Sequence, residues 1–158
     1  MALSDFLWRK VAESGRRMFG GNYFHSIDDK GRIVIPVKYR EELGSQFYAV
    51  RGMDKCVSLY SCAKWEEIES QLSGLATTRP KERGFVRLMM ASVSDCEMNA
   101  QGRVTLPPHL RSIANLQKDV VVAGAGTHVE IWDKERWDIY NVEQGEFEEL
   151  AKDFDVKL

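Results

Sequence analysis

Two stretches of the chain carry nearly the same pattern. Residues 27–40 read IDDKGRIVIPVKYR, and residues 98–111 read MNAQGRVTLPPHLR. Gly31, Arg32, Pro36 and Arg40 recur as Gly102, Arg103, Pro107 and Arg111, each 71 residues on. After one gap the echo resumes 72 residues on, with Leu59-Tyr60 matching Ile131-Trp132 and Trp65 matching Trp137. A repeat of this period marks a duplicated structural unit. Two copies are too few for a solenoid and suit a pseudo-symmetric pair packed face to face. Each copy has about 60–70 residues, near the lower limit for an independent core, so the two are expected to share one.

The local pattern is the same in both copies. Tyr23–Ile27 is short, aromatic and β-branched, as a strand requires. Asp28-Asp29-Lys30-Gly31 is a turn signal, and its position suits a hairpin whose last loop residue needs positive φ. Arg32–Ile35 alternates like a strand, Pro36 opens a short helix over Val37–Leu43, and Gly44 stops it. Gln46–Arg51 and Cys56–Tyr60 read as two further strands. Trp65, Ile68, Leu72 and Leu75 recur at helical spacing in an amphipathic helix over Ala63–Leu75. A linking helix follows, about Lys81–Ala91.

The second copy repeats the order. Strands are expected at Asp95–Met98, Arg103–Leu106, Val120–Ala123 and Val129–Trp132. The turn falls at Asn99–Gly102 and the short helix at Pro107–Ile113. A last helix starts at Lys134 under an Asp133 cap, and the acidic end beyond Glu143 is expected to fray. The expected division is an extension at 1–17, a first unit at 18–79, a linking helix at 80–92 and a second unit at 93–158 with an acidic C-terminal helix. The fold class is α+β, a duplicated pseudo-twofold β core with helices outside.

Composition excludes several classes. No stretch approaches the ~20 apolar residues of a membrane-spanning helix. Cys56, Cys62 and Cys96 are odd in number and lack C-x-x-C spacing, so reduced thiols are expected rather than a disulfide framework or a zinc site. The N-terminus has no long apolar core and no clear cleavage site, so no export signal is expected. Net charge is −2, which by itself argues against a strongly basic nucleic-acid binder. The charge is uneven, however. Residues 133–158 hold nine acidic and four basic side chains, which leaves residues 1–132 net positive. Arg79, Lys81, Arg83 and Arg87 crowd against a single Glu82, so a local basic face is possible beneath the modest total.

Asp28 and Arg32 bracket the first turn as D-x-x-x-R. A carboxylate there can hold the guanidinium fork in one orientation and leave donors pointing outward. A pre-oriented arginine on a protruding loop suits a guanine edge or a phosphate. The plainer reading is a surface ion pair that steadies a turn and is worth little. Recurrence of Gly-Arg in the second unit weakens the plainer reading, although turn geometry alone accounts for both glycines. Trp65 and Trp137 hold equivalent helical positions and are expected in the core rather than in a ligand cage. Their helices are candidates for contacts between subunits, since two small units cannot hide every apolar face. His25, His109 and His128 have no metal-ligand spacing. No nucleophile–base pair accompanies Asp28, Asp29 or Asp95, so no enzyme and no cofactor are expected.

The segment MFGGNYFHSIDDKGRIVIP at 18–36, the tandem repeat and the EMNAQGRVTLP segment together resemble the MraZ family of bacterial transcriptional regulators. The resemblance covers about residues 18–158. It implies two SpoVT-AbrB-like units joined in a β architecture of swapped-hairpin type. It further implies assembly into rings and binding of double-stranded DNA at short direct repeats in the promoter of the division and cell-wall gene cluster. A cytoplasmic, nucleoid-associated protein follows from that role. The family's D-x-x-x-R motif falls on Asp28 and Arg32, with Lys30 and Gly31 in the loop. In the second unit Asn99 and Arg103 take those places beside Gly102, so the charge clamp is lost there. A ring-forming scaffold whose arginine loops hold an acidic partner is the alternative reading.

Overall fold

The computed structural model describes residues 18–158; the expected N-terminal extension, residues 1–17, lies outside the described residues. In chain order the elements are β1 (Asn22–Ser26), β2 (Arg32–Val34), α1 (Val37–Leu43), β3 (Gln46–Arg51) and β4 (Val57–Ser61). They continue with α2 (Cys62–Ser73), α3 (Pro80–Ser92), β5 (Ser94–Glu97), β6 (Arg103–Thr105) and α4 (Pro108–Ile113). Last come β7 (Asp119–Gly124), β8 (Val129–Asp133), α5 (Lys134–Glu143) and α6 (Phe147–Ala151). The fold is α+β, and β1 to α2 is repeated by β5 to α5 with α3 between them.

Six strands form one antiparallel sheet in the order β1-β7-β8-β4-β3-β5, and β2 pairs with β6 as a separate ribbon. Exchanging β1 with β5, β3 with β7 and β4 with β8 reverses that order and leaves it unchanged. A pseudo-twofold axis therefore passes between β4 and β8. The register locates it: Ile33 lies opposite its own equivalent Val104, and Ser58 opposite Glu130.

One expectation is overturned. The strands flanking Asp28–Gly31 do not pair with each other as a hairpin. β1 pairs with β7, and β2 pairs with β6, both from the other unit. The turn itself is closed, with the Gly31 N–H donating to the Asp28 carbonyl at 2.9 Å. Each unit alone would leave β1 without an inward neighbour, so the strands are swapped across the axis. That exchange makes one core from two small units.

Alternation along the strands sorts their side chains between the two faces. Phe47, Ala49, Val57, Leu59, Val120, Val122, Val129 and Ile131 face inward, where Ile33, Ile35, Val104 and Leu106 meet them. On the outer face Trp65 and Leu72 of α2 pack with Val50 of the sheet, with Tyr48, Tyr60 and α3 beside them. Val121 and Trp132 pack beneath α5 with Trp137 and Tyr140. Trp65 and Trp137 occupy equivalent places, as the repeat predicts; Trp65 is fully buried and Trp137 partly so.

Local deviations have local causes. Pro36 stands one residue before its helix, with ψ at 138°, because the residue that enters a helix is still extended. β4 starts late because Asp54 and Lys55 take positive φ of 65° and 63° in the preceding turn. Asp133 precedes α5, but its Oδ1 accepts the Gln117 backbone N–H at 3.1 Å and makes no bond to its own helix. The acidic end contains the one-turn helix α6, with every side chain exposed.

Candidate nucleic-acid interface

The β2–β6 ribbon pairs Arg32 with Thr105, Ile33 with Val104 and Val34 with Arg103. Two further bonds lengthen it: Ile35 N–H to the Gly102 carbonyl and Leu106 N–H to the Gly31 carbonyl, each 2.8 Å. Ile33, Ile35, Val104 and Leu106 are buried. Side chains alternate across a strand, so Arg32, Val34, Arg103 and Thr105 form the outward face. Arg32 and Arg103 are diagonal neighbours there, roughly 7–8 Å apart at Cα. The 28–31 and 99–102 loops flank this pair at the two ends of the ribbon.

Both loops are built alike. Asp28 Oδ1 accepts the backbone N–H groups of Lys30 (3.0 Å) and Arg32 (2.8 Å). Asn99 Oδ1 accepts those of Gln101 (3.0 Å) and Arg103 (2.9 Å). Gly31 and Gly102 then take φ of 81° and 77°, as the turn signal predicts. The clamp differs at one atom. Asp28 Oδ2 accepts from Arg32 Nε at 2.6 Å. Asn99 presents an NH2 group at that place, a donor facing a donor, and among the described residues no ion pair holds Arg103. The Arg32 backbone N–H, with the guanidinium and the Lys30 N–H adding to it, holds the Asp28 carboxyl below its ordinary range. Asp28 and Arg32 are each about 40% exposed, and Lys30 and Arg103 are exposed outright. A clamped guanidinium with its terminal nitrogens outward can dock on a guanine edge or a phosphate.

Arg40 and Arg111 are part of this site, although sequence analysis gave them no role. Arg40 Nε donates to the Ile35 carbonyl at 2.8 Å and Arg111 Nε to the Leu106 carbonyl at 3.1 Å. Each lies against the glycine of the opposite unit. A Cβ at Gly102 would stand 2.1 Å from Arg40 Cζ, and one at Gly31 would stand 2.7 Å from Arg111 Nε. Both glycines therefore serve positive φ and a close approach. The recurrence of Arg40 as Arg111 was the signal available; what it lacked was any hint that the contact crosses between units.

The expected site residues thus fall together: Asp28, Lys30, Gly31 and Arg32 in one loop, Asn99, Gly102 and Arg103 in the other. The comparisons agree with this duplication. The model of the MraZ protein family, described as antitoxin-like, matches residues 18–88 and again residues 89–156. The transcriptional regulator MraZ of Moorella thermoacetica is 46% identical over 143 residues, 88% of this chain and 100% of that protein. That of Desulforamulus reducens is 44% identical over 136 residues, 85% of this chain and 96% of that protein. That of Carboxydothermus hydrogenoformans is 46% identical over 136 residues, 85% and 95% respectively. With both repeats matched and nearly the whole length of these relatives covered, the chain belongs to the MraZ family.

Proposed function

We propose that the chain is a transcription regulator that binds double-stranded DNA through the outward face of the β2–β6 ribbon. Its targets are short direct repeats in the promoter ahead of its own gene, in the division and cell-wall gene cluster. Arg32, held by Asp28 and aided by Lys30, reads base edges in the major groove. Arg103 supplies a second, less constrained contact, and neighbouring basic groups touch phosphate and set the register. The observation that carries this reading is the 2.6 Å Asp28–Arg32 clamp on a surface that presents two arginines from one rigid ribbon. The relatives' shared description as transcriptional regulators supports it.

One such ribbon is small, and the chain is net negative at −2. A ring-like homo-oligomer resolves the difficulty. It repeats the ribbon around its rim, so several subunits engage successive boxes, and effective concentration raises avidity without new contacts. A protein of this kind works in the cytoplasm at the nucleoid. Gel shifts with the DNA immediately upstream of the gene, against a shuffled duplex of equal length, test the proposal. Retention of the upstream duplex alone at moderate salt is expected. Equal indifference to both duplexes would remove DNA from the account and favour an acidic partner protein.

A further inference from the structure

α2 buries Trp65 and Leu72 inside the subunit, and Trp137 and Tyr140 of α5 pack on Trp132, while Ile139 and Val142 of α5 stay exposed. Two other apolar sets stay outside. One is a groove between α3 and the β3–β4 turn, lined by Arg51, Met53, Tyr60, Phe85, Leu88 and Met89. Met53, Phe85 and Leu88 are exposed there. Lys81 lies four residues before Phe85 and so on the same helical face. With Arg51, which lines the groove, it makes the rim basic.

The other set is the C-terminal segment. Residues 141–158 are exposed throughout. Phe147, Leu150 and Phe154 follow helical spacing and are exposed among the described residues. Six carboxylates, from Glu143 to Asp155, surround them against Lys152 and Lys157. A helix as short as α6 is marginal in water unless it packs on something. One surface is apolar and basic, the other apolar and acidic.

We infer that the C-terminal segment of one copy docks in the α3 groove of a second copy. Phe147, Leu150 and Phe154 cover the apolar floor, and the surrounding carboxylates meet Arg51 and Lys81. Donor and acceptor surfaces differ, so the contact is head-to-tail, the class that closes rings when the rotation permits. The inference rests on the reading of the protein as a homo-oligomer and names the surfaces that join it.

The test uses the full chain and a full-length variant with Phe147→Ser, Leu150→Ser and Phe154→Ser, all exposed positions. Light scattering gives their masses. Fluorescence anisotropy follows a labelled peptide of residues 143–158 added to the triple variant. A smaller assembly for the triple variant and saturable peptide binding are expected. Adding Leu88→Asp or Lys81→Glu to the variant should weaken the peptide at least tenfold, with thermal melts showing both folded. A peptide carrying Glu148→Lys and Glu149→Lys should recover binding to the Lys81→Glu protein. Absent binding, or binding indifferent to Leu88→Asp and Lys81→Glu, overturns the docking. So does a peptide of residues 1–17 that occupies the groove in place of the C-terminal one. A triple variant with the parent's mass overturns the docking and leaves the oligomer reading standing. A parent that is monomeric at every concentration removes both.

Discussion

A single atom separates the first side chains of the two loops, Asp28 and Asn99. Asp28 Oδ2 and Asn99 Nδ2 occupy equivalent places, while both Oδ1 atoms hold the same pair of backbone N–H groups. Asp28→Asn should therefore keep the loop and release Arg32. The melting temperature should stay put while operator affinity falls, and Asn99→Asp should do the reverse by clamping Arg103. The pH dependence has a definite sign. The folded Asp28 carboxyl lies below its ordinary range, so the clamp is complete above a pKa of about 3.9. It is lost only as pH falls through the folded value, and operator binding near neutral pH should be flat for this group. The glycines give a second prediction. Alanine at Gly31 must hold positive φ, at about 1–2 kcal/mol, and its Cβ would also meet the Leu106 carbonyl oxygen at 2.9 Å. At Gly102 the nearest atoms belong to the Arg40 side chain, which can move. Thermal melts should find Gly31→Ala the more destabilising. The turn chemistry was legible in the sequence because Asp/Asn-x-x-Gly acts within five residues. The Arg40–Gly102 and Arg111–Gly31 contacts were not, because they join residues far apart in the chain.

The β2–β6 ribbon depends on the pair at its centre. Ile33 and Val104 face each other on the pseudo-twofold axis, and both are buried. Ile33→Ala removes inward packing from the ribbon that carries both loops, and chemical denaturation should register about 2–5 kcal/mol. On the other side of the sheet Glu130 sits where the first unit has Ser58. Its Oε1 accepts the Trp132 indole N–H at 3.0 Å, and Oε2 lies 3.0 Å from His128 Nε2. Burial pushes its carboxyl up, but the bonds from His128 and Trp132 outweigh burial and leave it below the ordinary range. Glu130 thus adds stability above a pKa of about 4.3, and that contribution drains away as pH falls through the folded value. Glu130→Ala strands the buried indole N–H and should cost about 1–3 kcal/mol in denaturant titrations at pH 7. Element identities were legible from periodicity and turn residues, within a residue or two at most ends. Strand partners were not. The composition of β1 fits β2 as well as β7, and only the closure of one core from two half-cores selects the swapped pairing.

The molecule as a whole is a duplicated unit whose halves cannot close alone, and the surface proposed to bind DNA lies on the axis that relates them. Duplication was plain in the sequence, and family resemblance added the swapped architecture that local residues could not supply. Assembly and operator choice lie one level above a single chain. Light scattering at micromolar concentration should show more than a dimer, and a monomer would count against the ring. The central claim is that a pre-oriented arginine reads DNA. Operator affinity for the parent, Arg32→Ala and Asp28→Ala, at one salt concentration and with folding checked, tests it most directly. Arg32→Ala should lose about 1–3 kcal/mol per engaged site. Asp28→Ala should also bind more weakly, although it removes a negative charge from a loop proposed to face DNA. An Arg32→Ala protein that binds like the parent, or an Asp28→Ala protein that binds more tightly, would contradict the account.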